Sequence, residues 1–295
     1  MTRARLVIIL ALLAALSLAV RAAQQPPQPQ GPKVVEVEKL KDNLYMLKGG
    51  GGNTAVYIGA NGVTVVDTKN PGWGQPILDK IKELTPKPVT RLINTHTHGD
   101  HVSGNVEFPA SVEIVVQENT KVNMEKMDIF KEHKGRGLPK KTFKDKMTLG
   151  SGKDRIDVYY FGRGHTNGDA FIVFPELRVA HAGDIFSGKN LPLLDFNNGG
   201  SGREIGETLA KAHAGIKDVD TVITGHSTVM TWADLGEYAQ FNKEFLYDVQ
   251  TAMASGMKSD IVGNGWKPPA KYKGYTIQPE RLKLNVQILY SELRK

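Results

Sequence analysis

Short runs of β-branched and aromatic residues recur along the chain, and most of these runs end at a polar residue. Apolar runs of about 4–8 residues bounded by such punctuation are typical of buried β-strands. The pattern therefore predicts strands that carry polar side chains at their carboxyl ends. The runs, each with the polar residue that follows, are residues 63–66 before Asp67, 91–95 before His96, 157–161 leading to His165, 178–183 before Asp184, and 221–225 before His226.

Helical periodicity occupies many of the intervals between these strands. In residues 73–84, for example, apolar side chains fall at Ile77, Leu78 and Ile81, which is the spacing of one helical face. Alternating strands and helices favour sheets covered by helices, with the chemistry at the carboxyl ends of the strands. Residues 130–147, rich in lysine and glycine, predict a solvated excursion. The predicted helical stretches are residues 73–84, 116–127, 204–216, 233–254 and 279–293.

The beginning of the chain has the pattern of an export signal. Arg3 and Arg5 precede an apolar run over residues 6–20. As a helix this run would be about 22 Å long, short of the ~30 Å hydrocarbon core of a bilayer. We therefore expect signal cleavage, no stable membrane insertion, and a periplasmic or secreted protein. The predicted segments are a signal peptide at residues 1–22, a flexible Gln- and Pro-rich leader at 23–33, and one folded domain at 34–295.

Composition narrows the class of protein. The chain carries 38 Lys and Arg against 31 Asp and Glu, a formal net charge of +7, but no dense basic run is interleaved with aromatic residues. Charge therefore gives no support to nucleic-acid binding. The chain has no cysteine, so an exported form folds without disulfides and no metal ligand in it can be a thiolate.

The candidate chemistry is concentrated in the segment Thr95–His101, directly after the second predicted strand. This segment holds three imidazoles and a carboxylate, a density that neither a core nor an ordinary surface explains. His96 and His98 are two residues apart, so in an extended segment their side chains point to the same side and can converge on one metal ion. Asp100 and His101 lie one turn onward and can reach a second metal ion. Imidazole nitrogens and carboxylate oxygens are ligands that zinc accepts when thiolates are absent. The segment therefore predicts a metal site.

The same segment resembles the His-x-His-x-Asp-His signature of the metallo-β-lactamase superfamily. Other motifs of that family accompany it in the family's order, and together they span about residues 34–226. One such motif is moderately specific, but five in order are highly specific. The accompanying motifs are Asp67 after its strand, Gly164-His165-Thr166, Ala182-Gly183-Asp184 and Gly225-His226-Ser227.

The resemblance implies an α/β fold, an αββα sandwich of two mixed β-sheets flanked by helices, with two Zn²⁺ ions at one edge. It also implies a hydroxide between the ions, formed from water whose pKa is lowered toward ~7, that attacks a small carbonyl substrate. Asp100 is the expected catalytic residue, which orients the hydroxide and passes on a proton, and Asp67 is expected to support the site from behind. The implied ligands are His96, His98 and His165 for one metal, Asp100, His101 and His226 for the other, and Asp184 as a bridge.

Some of these features have plainer interpretations. Asp184 follows a glycine and Asp67 precedes a turn, so either aspartate could be a turn or capping residue. The Gly49–Gly52 run, between two strands that are expected to be antiparallel, could be a flexible turn or a flap over the metals. The apolar stretch from Phe186 to Phe196 could seal the core or line a pocket.

The expected activity is hydrolysis of a small ester, thioester, lactone or lactam, because the metals alone do not select a substrate. Export and the short segment after His226 argue against glyoxalase II. Acyl-homoserine lactonases remain open. The lack of cysteine excludes thiolate-type β-lactamases. Asp184 argues against β-lactamases without thiolate, which stay an alternative. A mononuclear iron oxygenase on the same scaffold is a second alternative, and a metal-binding protein without catalysis is disfavoured by Asp100. The sequence does not predict an oligomeric state.

Overall fold

The structure is a computed structural model that describes residues 33–294. The predicted signal peptide, and all of the predicted leader except Lys33, lie outside the described residues. These two assignments and the predicted domain boundaries therefore stay predictions. Within residues 33–294, no helix combines the length and the hydropathy that crossing a bilayer requires.

Two β-sheets form the centre of the fold. The strands are β1 (Glu36–Lys41), β2 (Leu44–Lys48), β3 (Thr54–Gly59), β4 (Gly62–Val66), β5 (Val89–Ile93), β6 (Glu113–Gln117), β7 (Lys141–Phe143), β8 (Lys146–Leu149), β9 (Ile156–Tyr159), β10 (Phe171–Phe174), β11 (Val179–Gly183), β12 (Thr221–Thr224) and β13 (Met230–Thr231). The first sheet runs from β1 to β7 in chain order and becomes parallel from β4 onward. The second has the order β13-β12-β11-β10-β9-β8, with β11 and β12 as its parallel pair. Both sheets are mixed, as expected.

Helices connect many of the strands, and further helices come after β13, the last strand in the chain. The longest begins at a capping box in which the Thr231 hydroxyl accepts from the Asp234 backbone N–H, while the Asp234 carboxylate accepts from the Thr231 backbone. All five predicted helical stretches contain a helix. The helices are α1 (Gly74–Leu84), α2 (Gly99–Val102), α3 (Glu118–Met124), α4 (Asp128–Glu132), α5 (Ile205–Gly215), α6 (Trp232–Ala254), α7 (Ser259–Gly265) and α8 (Pro279–Leu293).

Side-chain alternation arranges these elements in four layers. In β10, Ile172 and Phe174 join an apolar cluster that contains residues of both sheets, whereas Phe171 and Val173 point to the helices on the other side. The outer face of the first sheet packs on α1, and that of the second packs on α5, α6 and α8. The fold is therefore the αββα sandwich that the resemblance implied.

Two local expectations were wrong in part. Residues 131–136 are exposed, as a solvated excursion would be, but the segment 130–147 also contains β7 and the start of β8, and Phe130 and Phe143 are buried. Because this segment is rich in lysine, its sequence pattern did not indicate β7, a short strand that pairs with β6 and has one inward aromatic side chain. The helix expected from residue 116 begins only at Glu118, because Val116 and Gln117 complete β6, and the Gln117 side chain caps the helix by accepting from Asn119.

Strand direction gathers the polar ends that the sequence singled out. In the parallel pair β4 and β5, Val66 lies opposite Ile93, and in the parallel pair β11 and β12, Gly183 lies opposite Thr224. The residues that follow these four positions therefore leave their sheets at matching edges. Asp67 is hydrogen-bonded through its backbone N–H to the Ile93 carbonyl, which fixes it beside the loop that carries the histidine cluster.

Candidate metal centre

All seven implied ligands converge at this edge. They form two groups, each with one nitrogen or oxygen atom per residue and with all such atoms of a group within 4.8 Å of one another. We call His96, His98 and His165 the first half of the site, and Asp100, His101 and His226 the second half. By element, His96 and His98 lie in the loop after β5, Asp100 and His101 in α2, His165 in the loop after β9, Asp184 in a short 3-10 turn after β11, and His226 in the loop after β12.

The first half is a tight group of imidazoles. His165 Nε2 lies 3.0 Å from His98 Nδ1, and the His96 ring is 4.8 Å from the His98 ring and 4.7 Å from the His165 ring, centroid to centroid. His96 and His165 are buried, whereas His98 is partly exposed. Three nitrogens of this half therefore face one small volume.

The second half has both imidazole and carboxylate atoms. His226 Nε2 lies 3.1 Å from Asp100 Oδ2 and 3.3 Å from His101 Nε2, and His101 Nε2 lies 3.8 Å from Asp100 Oδ2. His101 is fully buried, whereas the His226 side chain is 39% exposed and that of Asp100 is 30% exposed. This half is more open to solvent than the first half, in which only His98 is partly exposed.

Asp184 lies between the two halves. Its Oδ2 is 3.9 Å from His165 Nε2 in the first half and 3.3 Å from His226 Nε2 in the second, while its Oδ1 is 3.3 Å from His101 Nε2. A turn residue or cap would direct its carboxylate at backbone N–H groups, but no such bond is made by its buried Oδ1. The Asp184 carboxylate therefore faces histidines of both halves.

Polar atoms without a hydrogen-bond partner indicate that the cluster suits cations. Within the described residues, the buried His96 Nε2 has no such partner, and the buried Asp184 Oδ1 has only the ion-pair contact with His101 Nε2 at 3.3 Å. Buried polar atoms in proteins are otherwise nearly always satisfied. Five imidazoles and two carboxylates are a donor set for zinc-like divalent ions, so the residues present fit two metal ions.

The protonation of the first half favours metal binding. Burial lowers the pKa of His165 to about 4, and burial together with the neighbouring imidazoles lowers the pKa of His96 well below its usual value. Both rings are therefore neutral at physiological pH. A neutral imidazole is the form that donates an electron pair to a metal.

The second half attracts positive charge. Hydrogen bonds to Asp100 and Asp184 raise the pKa of His226 to about 9. Burial lowers the pKa of His101, but the charges of Asp184 and Asp67 outweigh burial and raise it well above its usual value. Burial alone would raise the pKa of the Asp184 carboxyl, but the neighbouring His101 holds that pKa well below its usual range. Without metal, protons on the two imidazoles compensate the carboxylates that bound cations would otherwise neutralise.

Outer hydrogen bonds orient the ligands. Asp67 Oδ2 accepts from His101 Nδ1 at 2.7 Å, which leaves Nε2 to face the cluster, and the same carboxylate accepts from the Thr95 backbone N–H. Asp195 Oδ2 lies 2.7 Å from His98 Nε2 in the equivalent role. Asp67 lies where the sequence motifs placed it, whereas no motif indicated Asp195. The one available signal was a lone acid within the apolar run of residues 191–196.

Two glycines are required where backbone and ligands approach closely. A Cβ atom at Gly225 would overlap Asp184 Oδ1, and a Cβ atom at Gly52 would overlap the His101 ring. The Gly52 backbone N–H also donates to the Asp100 carbonyl at 3.0 Å. The Gly49–Gly52 loop therefore packs behind the second half of the site and supports its ligands.

A buried lysine, which the sequence analysis missed, anchors this loop. Lys69 is fully buried, and its Nζ donates to the Leu47 carbonyl at 2.9 Å and to the Gly52 carbonyl at 2.7 Å. Burial lowers its pKa to about 8, against the opposing charges of Asp67 and Asp100. Nothing in the sequence distinguished Lys69 from a surface lysine, because its partners are carbonyls of a distant turn.

A polar cavity of about 440 Å³ opens onto the cluster, and it is lined by Asp100, Asp184, His226 and other mostly polar residues. Leu193 lines this cavity and, with Leu194 and Phe196, a neighbouring apolar one. Phe186 and Leu191 from the same apolar stretch are instead buried in the core. The stretch therefore both seals the core and lines a pocket.

Comparison with known sequences identifies related families. The family model of the metallo-beta-lactamase superfamily matches residues 47–226, more than half of the chain and the part that holds all seven candidate ligands. A type 2 metallo-beta-lactamase of Elizabethkingia meningoseptica is 27% identical over 212 residues, 68% of this chain and 80% of that protein. A hydroxyacylglutathione hydrolase of Nostoc punctiforme is 31% identical over 176 residues, 58% of this chain and 56% of that protein. The chain thus matches little more than half the length of the latter.

Solved structures share the fold. A metallo-beta-lactamase from Pontibacter korlensis superposes with a TM-score of 0.60 at 19% identity, covering 71% of this chain and 99% of that one. A stereoselective inverting sec-alkylsulfatase from Pseudomonas sp. superposes with a TM-score of 0.73 at 14% identity, covering 88% of this chain and 50% of that one. At these identities, the likeness describes architecture alone.

Proposed function

The chain belongs to the metallo-beta-lactamase superfamily, whose members are metal-dependent hydrolases, and from this premise we propose that it is a binuclear zinc hydrolase. Its substrates are small carbonyl compounds: esters, thioesters, lactones or lactams. The observation that carries the proposal is the position of Asp184, which lies between two complete groups of donor atoms.

The two halves of the site and Asp184 have separate roles in the proposed hydrolysis. The first half, with Asp184, would hold one ion, and the second half, with the same carboxylate, would hold the other. Two bound zinc ions would supply a Lewis acid for the carbonyl oxygen and a source of hydroxide at neutral pH. Asp100 and Asp184 bring negative charge that offsets the repulsion between two cations. The polar cavity admits a small substrate to the open side of the cluster.

Asp100 is the proposed proton carrier. Its Oδ2 faces His226, and its side chain is partly exposed toward the cavity. The carboxylate therefore has one oxygen for a cation and another that can hold a proton and deliver it to a leaving group. His101, held by Asp67, keeps its Nε2 directed at the same place.

The test is a substrate panel run with measured metal content. Zinc-loaded protein should hydrolyse at least one thioester, lactone or activated ester, and metal-stripped protein should not. Absence of turnover across the panel with two bound zinc ions would contradict the proposal. A lactam belongs in the panel, because the resemblance to the E. meningoseptica enzyme favours β-lactam hydrolysis as the second candidate function.

We also propose export, with the mature chain beginning near residue 23. The proposal is supported by Arg3 and Arg5 before the apolar run of residues 6–20. N-terminal sequencing of protein recovered from a bacterial periplasm or medium tests it. An intact Met1 on the recovered protein would contradict it.

A further inference from the structure

The last helix of the chain contributes one face to the substrate cavities. Arg281, Leu284, Ile288 and Ser291 of α8 recur at helical spacing, and each lines one of two cavities beside the cluster. This helix lies beyond residues 47–226, the part that the family model matches. Its cavity-lining residues are therefore a feature of this chain that family membership does not specify.

Among the described residues that line the polar cavity, Arg281 is the only arginine or lysine. Its Nη1 donates to the Leu191 carbonyl at 3.2 Å, and among the described residues no carboxylate oxygen lies within salt-bridge distance of its guanidinium. The side chain is half-buried, so the bond to Leu191 fixes its position while other N–H groups stay available. A held guanidinium of this kind binds planar anions such as carboxylates through paired hydrogen bonds.

The second cavity is apolar and adjoins the first. It has a volume of about 530 Å³, and its walls include Leu193, Leu194, Leu284 and Ile288. Leu284 is 42% exposed. An exposed apolar wall beside a reactive site is typical of a ligand-binding groove. The two cavities meet at His98 and Leu193, which line both of them.

We propose that the substrate is a small amphiphile, an acyl compound with an apolar chain and an anionic group. The anionic group binds Arg281, the acyl chain lies along α8 against Leu284 and Ile288, and the scissile carbonyl lies where the cavities meet, beside His98. This assignment rests on the proposed hydrolase function and names its substrate class. A purely structural Arg281, holding only the Leu191 carbonyl, is the competing explanation.

Two matched thioesters separate charge from shape. S-hexanoyl mercaptoacetate carries a carboxylate, and S-hexanoyl mercaptoacetamide replaces it with a neutral amide of almost the same size. In both, water adds across the C–S bond: the carbonyl carbon gains the oxygen, and the sulfur leaves with a proton. For the zinc-loaded enzyme, we expect Arg281→Met to lower kcat/KM for the carboxylate on the order of 10–100-fold, mainly through KM, and to leave the amide within about twofold.

Lys283→Met is the matched control. It removes the same charge from the same helix, but Lys283 pairs with Glu280 and lines neither cavity. We expect both thioesters to be hydrolysed at wild-type rates by this variant. An equal loss for both thioesters in Arg281→Met, or a wild-type enzyme without preference for the carboxylate, would overturn the anionic part of the proposal.

Chain length tests the apolar part. Each methylene added between acetyl and hexanoyl should raise kcat/KM about three- to fourfold if it is buried. Leu284→Asn, at an exposed position that tolerates a polar residue, should lower this gain, so that the hexanoyl thioester loses more kcat/KM than the acetyl thioester does. A wild-type enzyme that is indifferent to chain length would overturn the apolar part.

Equilibrium binding keeps the test independent of catalysis. N-hexanoylglycine and its amide are stable analogues of the two thioesters, and their affinities for zinc-loaded protein can be measured by calorimetry. We expect the carboxylate to bind on the order of tenfold more tightly than the amide, and Arg281→Met to remove the difference. Equal affinities would overturn the substrate class even if thioesters are hydrolysed. The expected binding without any turnover would instead contradict the proposed hydrolase function alone.

Discussion

The two halves of the candidate metal centre are built differently. His96 and His165 of the first half are buried, and the low pKa of each ring keeps it neutral. In the second half, Asp100 and His226 are partly exposed, and the pKa of His226 is raised to about 9 by neighbouring carboxylates. Burial therefore keeps two ligands of the first half unprotonated and able to bind a cation. In the second half, His226 carries a proton in the absence of metal and is partly exposed to solvent.

This difference indicates how the halves share the work. Because His96 and His165 are buried and neutral, they bind a metal without losing protons, so the first site should fill first and hold its ion more tightly. The second site faces the cavity and has the carboxylate that can carry a proton. We therefore expect the first half to contribute mainly binding and the second half mainly chemistry.

The largest effect should follow from removing the group that joins the halves. In Asp184→Ala, both ions lose a ligand and the offsetting charge, so we expect the second metal to be lost and turnover to fall on the order of 10³-fold. Metal analysis and rate are measured together, with exposed Asp79→Ala as the control. Two retained metals at a near-normal rate would show that Asp184 is only a turn residue.

Asp100→Asn should separate binding from chemistry in the second half. The amide keeps the shape and one oxygen but loses charge and basicity, so we expect a rate loss of about 10²-fold or more, the usual scale of general acid–base catalysis, with the first metal retained. The loss should be greater for the poorer of two leaving groups, where proton delivery limits the rate. An equal loss for both substrates at full metal occupancy would exclude Asp100 as the proton carrier.

Each half of the site has a supporting carboxylate, so the metal affinities of the two halves can be compared with matched substitutions. Asp195 holds His98 of the first half and Asp67 holds His101 of the second, each at 2.7 Å. We expect Asp195→Asn to weaken the first metal and Asp67→Asn the second, each by about 10–100-fold. Competition with a chelator measures the two affinities. The same loss at both sites in either variant would show that the halves do not act separately.

The last effect concerns pH. His226 and His101 both have a raised pKa, about 9 for His226, and both must lose a proton to bind metal, so the affinity of the second site should fall by at least about tenfold for each pH unit below that value. At the first site, His96 and His165 should add no competition from protons between pH 6 and 9, because both are already neutral. Metal retained after dialysis at several pH values measures this, and parallel losses from both sites would contradict it.

Part of this arrangement could be predicted from the sequence because its signals are local. The cluster at His96, His98, Asp100 and His101 occupies a single short segment, and the other candidate ligands each follow a run of apolar residues. Such runs identify strands, and strand direction then brings their ends together. The alternation of elements predicted sheets covered by helices, and the αββα sandwich itself was implied by the resemblance to the metallo-β-lactamase superfamily.

The rest depends on contacts between distant segments. Lys69 reaches a turn formed by residues 47–52, Asp195 supports a histidine in a loop from another sheet, and Arg281 comes from the last helix. Each is an ordinary charged residue in its local sequence, and only packing reveals its role. The short strand β7 was missed for the opposite reason, since exposed lysines masked its one buried aromatic side chain.

Zinc titration of metal-stripped protein distinguishes a two-metal site from a one-metal site. Bound zinc and turnover of a thioester are followed together as zinc is added. We expect two bound ions per chain, the first tighter, with turnover rising steeply as the second site fills. Binding that stops at one ion with full activity, or protein purified without chelator that reproducibly contains a single iron and no zinc, would contradict it.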